Sequence, residues 1–220
     1  MPSLTRPAIP AGHLAASVQP VLPIDPGLSM RPWTAADAPS VIAAYADPDI
    51  RFWHARTVES EAEARALIER WRSAWSAESG ANWAVVRTAF SAGSGGGLPG
   101  SGAGGVRGPA TGSADGDAVL GRIALRAIDT EQGRAECMYW IRPEARGGGV
   151  ATRALCGLAT WAFDEAGFHR LFLVHSMVND ASCRVATKAG FAPEGVERSS
   201  VLHPDGWHDM HVHSRITGTE

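Results

Sequence analysis

A glycine-rich turn between an apolar run and an amphipathic segment constrains this chain more than any other feature of its sequence. The apolar run, residues 137–141, is typical of a buried strand. Three consecutive glycines, residues 147–149, follow it after a short basic stretch that ends in Arg146. Apolar side chains then recur at the spacing of one helix face, at Val150, Ala154, Leu155, Leu158 and Ala162. The sequence therefore predicts a strand, a tight glycine turn and the start of a helix.

A turn of this kind is suited to an anion. The first N–H groups of a helix have no partner within the helix, and the helix dipole adds partial positive charge there. Glycines leave the backbone open to a bulky anion such as a pyrophosphate. Arg146 adds a guanidinium that can bind two phosphate oxygens. A glycine turn without a ligand stays open as the plain alternative, but the adjoining strand, arginine and helix favour a ligand.

Two common nucleotide-binding loops fit this turn poorly. A Walker loop ends in Gly-Lys-Ser/Thr, whereas this turn continues from Gly149 as Val-Ala-Thr. A dinucleotide fingerprint needs a third glycine in a strand–helix–strand unit near the start of a domain. Here Thr152 stands in place of that glycine, and the turn lies late in the chain.

The turn resembles the acyl-CoA pyrophosphate loop of the GNAT superfamily of N-acetyltransferases, whose pattern is Arg/Gln-x-x-Gly-x-Gly/Ala. Arg146, Gly149 and Ala151 occupy the fixed positions of that pattern. Residues 179–191 are similar to a later helix of the family, which begins Asn-x-x-Ser/Ala and ends Lys-x-Gly-Phe.

Two further features are most similar to the branch that contains the ribosomal-protein N-terminal acetyltransferases. They are Ser182 and the segment Trp-His-Asp-Met at 207–210. The resemblance extends from about Leu28 to Ile216.

The resemblance implies an α/β fold: a central, mostly antiparallel twisted sheet flanked by helices, with a central strand splayed from its neighbour at the acyl-CoA site. It implies acetyl-CoA as acyl donor and a primary amine as acceptor, either a protein N-terminus or a small molecule. The acetyl group would pass directly within a ternary complex of a cytoplasmic monomer or homodimer. A non-catalytic acyl-CoA-binding module is the alternative. The residues implied to bind the cofactor are Tyr139, Trp140, Ile141, Arg146, Gly147, Gly148, Gly149, Val150, Ala151, Thr152, Asn179 and Ser182.

Glu136 is the candidate acid–base residue, because it shares a strand face with apolar neighbours that can raise the pKa of a carboxyl. A solvent-facing carboxylate, or one paired with Arg134 or Arg122, is an equal alternative. His54 and water relays are further candidates for the base.

Many relatives protonate the thiolate with a Tyr seven residues after the Asn that begins the later helix, but this chain has Ala186 there. Ser182 is the nearest substitute, with helix capping as its alternative role. Asn179 is also a candidate cap, and Lys188 is either a phosphate ligand or a solvated lysine.

The histidines near the C-terminus suggest a metal, but the sequence does not predict a designed site. His203, His208, His211 and His213 are close in sequence, yet in a strand only the last two share a face. Asp209 lies on that same face. We therefore expect structural or acceptor-cleft roles and no metal. The three cysteines, Cys137, Cys156 and Cys183, are predicted to be reduced core residues.

Composition excludes several functional classes. The chain has 220 residues, a formal net charge of −3 and a pI near 6.2, which gives no electrostatic basis for binding nucleic acid or an anionic membrane. No apolar run approaches the roughly 20 residues that span a bilayer. The N-terminus lacks the pattern of a signal peptide.

The sequence predicts one domain over residues 28–216, after a flexible proline-rich lead-in at 1–27. Eleven of the 26 residues at 91–116 are glycine, so we predict a disordered insert between two strands of one sheet. The predicted strands are 28–33, 83–88, 119–128, 134–141, 171–174, 196–202 and 208–216. The predicted helices are 34–46, one capped by Ser60, 148–166, and one capped by Asn179 or Asp180.

Overall fold

A computed structural model describes residues 6–88 and 117–218. The described chain alternates strands and helices in an α/β order. Its strands are β1 (Leu22–Asp25), β2 (Leu28–Pro32), β3 (Gly80–Thr88), β4 (Asp117–Asp129), β5 (Arg134–Ile141), β6 (Arg170–Ser176), β7 (Ala192–His203) and β8 (Gly206–Ile216). Its helices are α1 (Ala38–Ala46), α2 (Pro48–His54), α3 (Glu61–Ser76), α4 (Val150–Asp164) and α5 (Asp180–Lys188).

All the strands of the described chain belong to one sheet, in the order β1-β2-β3-β4-β5-β6-β8-β7. Every neighbouring pair is antiparallel except β5 and β6, which are parallel. The β5–β6 pairing ends at Glu136 opposite Phe172, and beyond that point the two strands separate. The mixed, mostly antiparallel sheet with a splayed central strand confirms the predicted fold class.

Helices cover both faces of the sheet, and each face has its own core. On one face, Trp83, Leu125 and Cys137 pack with Leu155 and Leu158 of α4. On the other face, strand residues such as Trp140 pack with α1 and α3. The apolar stripe predicted for α3 is confirmed: its buried members are Ala64, Leu67, Ile68, Trp71 and Trp75. Ser60 caps this helix as predicted, since its hydroxyl accepts a hydrogen bond from the Glu63 N–H.

The described part of the lead-in, residues 6–27, packs against the rest of the domain. Ile9 and Leu14 are only 1% and 3% exposed and belong to the core beside α4. The Glu78 carboxylate accepts a hydrogen bond from the Leu14 N–H at 2.7 Å, and the indole of Trp83 donates to the carbonyl of Pro20 at 2.8 Å. Each proline fixes φ and stiffens the chain, which favours a non-helical path where apolar residues anchor it.

The predicted insert at 91–116 lies outside the described residues. On its flanks, Thr88 of β3 is the register partner of Asp117 of β4, so the strands on either side of it are antiparallel neighbours.

Helix α2 was not predicted. Asp47 accepts a hydrogen bond from the Ile50 N–H at 2.9 Å, and Pro48 occupies the first helical position. This Asp-Pro pair is a helix-start signal that could have revealed the helix. None of the described helices combines the length and hydropathy needed to cross a lipid bilayer.

Candidate active site

A cleft of about 890 Å³ opens where β5 and β6 separate. Its size is typical of a small-molecule or cofactor site. All the predicted site residues line it except Gly148: these are Glu136, Tyr139, Trp140, Ile141, Arg146, Gly147, Gly149, Val150, Ala151, Thr152, Asn179 and Ser182. The fold thus brings the two sequence motifs, the glycine turn that follows β5 and the helix α5 that follows β6, to the two sides of one strand gap.

The separated part of β5 presents backbone N–H groups to the cleft that are not paired with β6. The N–H of Arg142, just beyond the strand, donates to the carbonyl of Leu120 on the β4 side. Because backbone groups alternate sides along a strand, the N–H groups of Tyr139 and Ile141 point the other way, into the gap. The register of β5 with β4 is regular from Glu136 to Ile141, so the gap results from β6 turning away and not from a bulge in this part of β5.

The glycine turn adopts the backbone conformation that glycine favours. Gly147 and Gly149 have φ values of +79° and +74°, in the left-handed region. A Cβ placed on any of the three glycines would meet no atom within 4 Å, so the space beside the turn is open. Helix α4 begins at Val150, and the N–H groups of its first turn point toward this space without a partner among the described residues. An anion fits here.

Arg146 is not free to receive a phosphate in the described arrangement. Its guanidinium bonds to Asp47 Oδ1 at 2.6 Å and to Asp49 Oδ2 at 2.8 Å, and its Nε donates to the carbonyl of Ile141 at 3.1 Å. The arginine therefore joins the glycine turn to the start of α2. It contributes to anion binding only if the two carboxylates release it.

Helix α5 forms the opposite wall of the cleft. Asn179 Oδ1 accepts a hydrogen bond from the Ser182 N–H at 3.0 Å, so Asn179 is the cap of this helix. Arg184 and Lys188, exposed on the same helix, also line the cleft. Neither forms an ion pair with a residue of the described chain, which leaves both cations available to phosphate groups.

Tyr139 extends from the splayed strand toward Ser182. Burial raises the pKa of its phenol to about 12, and the Ser182 hydroxyl beside it has a smaller opposing effect. The phenol oxygen is buried and has no hydrogen-bond partner in the part of the chain that the structure describes. A phenol that stays protonated and unpartnered can donate to a ligand atom in the cleft.

A further wall of the cleft carries a group of cations around one carboxylate. Glu136, whose side chain is 13% exposed, forms an ion pair with Arg126. The alternative partners considered from the sequence were Arg134 and Arg122. Arg122 is buried, donates to the side-chain oxygen Oδ1 of Asn82 and stacks over the ring of Trp71 at 4.3 Å.

His54, at the end of α2, faces this group. Burial, and then the nearby charge of Arg122, lowers the pKa of His54 to about 4. The imidazole is therefore neutral at neutral pH. Trp53 and Phe52 of the same helix pack against His203, so α2 and the β7–β8 hairpin form one wall. Sequence reasoning assigned no role to Trp53 because it did not recognise α2.

The four C-terminal histidines separate into two groups. His203 and His208 pack against α2, while His211 and His213 lie on the α5 side of the sheet. The Ser176 hydroxyl lies 2.7 Å from His208 Nδ1, and His208 Nε2 lies 2.9 Å from an oxygen of Asp205. Ser176 lines the cleft and Asp205 is exposed, so this chain of hydrogen bonds connects the cleft to solvent.

The family model described as "Acetyltransferase (GNAT) domain" matches residues 28–192. The N-acetyltransferase YoaA of Bacillus subtilis (strain 168), whose activity is uncharacterised, is 24% identical over 202 residues, which are 91% of this chain and 99% of YoaA. The ribosomal-protein-serine acetyltransferase of Escherichia coli (strain K12) is 28% identical over 105 residues, which are 47% of this chain and 58% of that protein.

A solved structure of RimL, a ribosomal L7/L12 alpha-N-protein acetyltransferase in complex with coenzyme A, superimposes with a TM-score of 0.69. It is 16% identical and covers 90% of this chain and 98% of its own. These comparisons confirm the resemblance to the GNAT superfamily drawn from the two motifs, and ribosomal-protein acetyltransferases are among the relatives.

Proposed function

Because the chain belongs to the GNAT acetyltransferase family, we propose that it transfers an acetyl group from acetyl-CoA to a primary amine by direct attack in a ternary complex. The observation that carries this function is the cleft at the β5–β6 gap, which has an anion-binding helix start at one end and free strand N–H groups at its centre. A module that only binds acyl-CoA is not favoured.

The donor half of the cleft matches the parts of coenzyme A. The pyrophosphate binds at the N–H groups of residues 147–152, where the open space beside the glycines admits it. The pantetheine arm lies in the β5–β6 gap, where the N–H groups of Tyr139 and Ile141 act as donors. Arg184 and Lys188 supply positive charge to the remaining phosphate.

The chemical step joins the amine nitrogen to the thioester carbon and breaks the carbon–sulfur bond. Negative charge develops on the carbonyl oxygen, and a preorganised N–H donor is worth about 3 kcal/mol in stabilising such charge. The Tyr139 N–H in the gap is our candidate for this donor. The reaction as written needs no metal ion.

The amine must lose two protons in total, one before attack when it starts as ammonium and one afterwards. Glu136 lies at the last paired position before the strands separate, so it marks the closed end at which the gap begins. We assign it the role of base or proton relay. The neutral imidazole of His54 is the second candidate, although its low pKa makes it a weak base.

The leaving thiolate must take up one proton or an equivalent hydrogen bond. Ser182 and Tyr139 are the hydroxyl groups that the fold brings to this wall, and Tyr139 thereby occupies the role that the sequence left open at Ala186. A phenol with a raised pKa acts best as a hydrogen-bond donor to sulfur, because full proton transfer from it to a thiolate is uphill.

The acceptor is a protein N-terminus or a small-molecule amine. An α-amine has a pKa of about 8, against about 10.4 for lysine, so a larger fraction of it is neutral at pH 7. Relatives named as ribosomal-protein acetyltransferases support the protein N-terminus. We place the reaction in the cytoplasm, because the three cysteines are free thiols as expected in a reducing compartment.

The experiment is an acceptor screen that compares peptides of varied first residue with small amines, read by release of CoA. Turnover with at least one amine is expected. Intact mass spectrometry after incubation with acetyl-CoA alone should show no acetylated protein, because direct transfer forms no acyl-enzyme. Ser176, which lines the cleft beside His208, is the residue at which an acyl-enzyme would form. Stoichiometric acetylation of Ser176 would contradict direct transfer.

A further inference from the structure

Three histidines and one cysteine converge on the α5 side of the sheet, beside the cleft, which His175 also lines. His175 of β6 is the register partner of His211 of β8, so their side chains share a face. His213 lies two residues further along β8 on the same face. Cys183 of α5 completes the group, and one ligand atom from each of the four lies within 4.8 Å of the others.

Backbone carbonyls fix which imidazole nitrogens face the centre of this cluster. His213 Nδ1 lies 3.2 Å from the carbonyl of Phe191, and His175 Nδ1 lies 2.8 Å from that of Ser176. A ring nitrogen bonded to a carbonyl carries the hydrogen, so Nε2 of each ring presents a lone pair. The Nε2 of His175 is buried and has no hydrogen-bond partner among the described residues. Carbonyl-oriented imidazoles of this kind are typical of metal ligands.

The environment of the cluster disfavours positive charge on the rings. Burial lowers the pKa of His175, and the neighbouring His213 and His211 lower it further. Burial and His213 likewise lower the pKa of His211. Neutral imidazole is the form that binds metal ions.

The distances are close to those of a tetrahedral site. His213 Nε2 lies 3.2 Å from His211 Nδ1, and Cys183 Sγ lies 3.9 Å from His213 Nε2. With Zn–N of about 2.05 Å and Zn–S of about 2.3 Å, tetrahedral geometry separates two nitrogens by roughly 3.3 Å and nitrogen from sulfur by roughly 3.6 Å. The edge between His213 and His211 already has its tetrahedral length, the edge between Cys183 and His213 is 3.9 Å against roughly 3.6 Å, and every other edge is at most 4.8 Å.

We propose that His175, Cys183, His211 and His213 bind one Zn²⁺ ion in a closed, structural site that ties α5 to β6 and β8. Four protein ligands leave no open position, so the ion holds structure and takes no part in acetyl transfer. Helix α5 carries Asn179 and Ser182 at the cleft, and the ion fixes that wall. The sequence did not predict the site because its ligands come from three separate elements.

Zinc content and cobalt spectroscopy test this proposal. The purified protein should contain about one zinc per chain. After removal of zinc with a chelator, one equivalent of Co²⁺ should give the intense visible bands of a tetrahedral site and a near-ultraviolet thiolate-to-cobalt band. Cys183→Ser should abolish the thiolate band and weaken Co²⁺ binding at least about tenfold. Cys156→Ser, at a free cysteine of α4 outside the cluster, is the matched control and should bind as the wild type does.

Thermal unfolding gives a second measurement. Zinc should raise the melting temperature of the metal-free wild type and of Cys156→Ser, because a ligand that binds the folded state stabilises it. His211→Gln should lose this response, which keeps the test valid if Cys183→Ser does not fold. Co²⁺ spectra without a thiolate band in the wild type, or equal spectra in wild type and Cys183→Ser, would show an adventitious ion only and overturn the site. The proposed acetyl transfer does not depend on the zinc site, so that result would leave the proposed function standing.

Discussion

Arg146 of the glycine turn lies 2.6 Å from Asp47 at the start of α2, although the two residues are 99 positions apart in sequence. Asp47 performs two tasks, because the same Oδ1 also accepts the hydrogen bond that caps α2. The pair therefore couples the donor half of the cleft to the helix that carries Trp53 and His54. If a CoA pyrophosphate binds at the glycine turn as we propose, it competes with Asp47 and Asp49 for the guanidinium.

Asp47→Asn should tighten CoA binding by about three- to tenfold, because it removes a competing charge while the amide oxygen still caps α2. Glu144→Gln is the matched control. It neutralises another carboxylate near the turn that pairs with Arg142 and not with Arg146, so it should change the affinity little. Calorimetric titration of CoA measures both. Weaker binding in Asp47→Asn alone would mean that the ion pair positions the turn instead of competing with the anion.

Gly149→Asp should abolish acetyl-CoA binding, because it adds negative charge where the pyrophosphate binds. The left-handed φ of +74° at this position strains any Cβ, so charge and strain must be separated. Gly149→Asn has nearly the same size and tolerates this conformation, and serves as the neutral control. We expect the Asp variant to bind at least about tenfold more weakly than the Asn variant. Equal calorimetric affinities for wild type and Gly149→Asp would remove the turn from the site.

Glu136→Gln should lower turnover by about 100-fold near neutral pH, since a positioned acid or base typically contributes that much. The deficit should shrink as pH rises, because more of the acceptor amine is already neutral. Ser182→Ala and Tyr139→Phe act on the leaving group, so their deficits should not shrink in the same way. Tyr45→Phe, at the other tyrosine, is the control.

The measurement for these variants is the rate of CoA release against pH at saturating acceptor, with acetyl-CoA affinity checked separately. Wild-type rates in Glu136→Gln would leave a water relay or His54 as the base.

The fold was largely predictable because its signals are local. The stripe of α3 and its Ser60 cap needed only neighbouring residues, and the two motifs identified the family. The features that the sequence did not predict depend on contacts between distant segments. The anchoring of Ile9 in the core, the pairing of Arg146 with Asp47, and the convergence of His175 with Cys183 arise only when separate elements pack together. No periodicity in the sequence carries such information.

Replacing residues 93–114 by a short turn should leave the domain folded. Thr88 and Asp117 are already register partners in an antiparallel pair, which a hairpin turn can join. Lengthening or shortening a flexible connection changes stability only weakly. The melting temperature should shift by no more than a few degrees and CoA affinity should stay within about twofold. A much lower melting temperature would show that the glycine-rich insert contributes contacts that its composition does not predict.

The stability of the domain should fall as pH drops from about 6.5 to about 4, and His54 should account for part of the fall. In the unfolded chain this histidine has its ordinary pKa of 6.5, whereas burial and Arg122 lower its pKa to about 4 in the folded state. Between these values the unfolded state binds a proton that the folded state does not, which favours unfolding by at most about 1.4 kcal/mol per pH unit. The stabilisation is complete above pH 6.5 and is lost toward pH 4.

His54→Gln cannot titrate, so its free energy of unfolding should depend less steeply on pH within this window. His13→Gln, at an exposed histidine of the lead-in, is the control and should keep the wild-type slope. Chemical denaturation at a series of pH values, with chelator present so that metal binding does not contribute, gives the slopes. Identical slopes for wild type and His54→Gln would mean that the imidazole is as accessible to protons in the folded protein as in the unfolded chain, and would remove the neutral His54 from the acceptor wall.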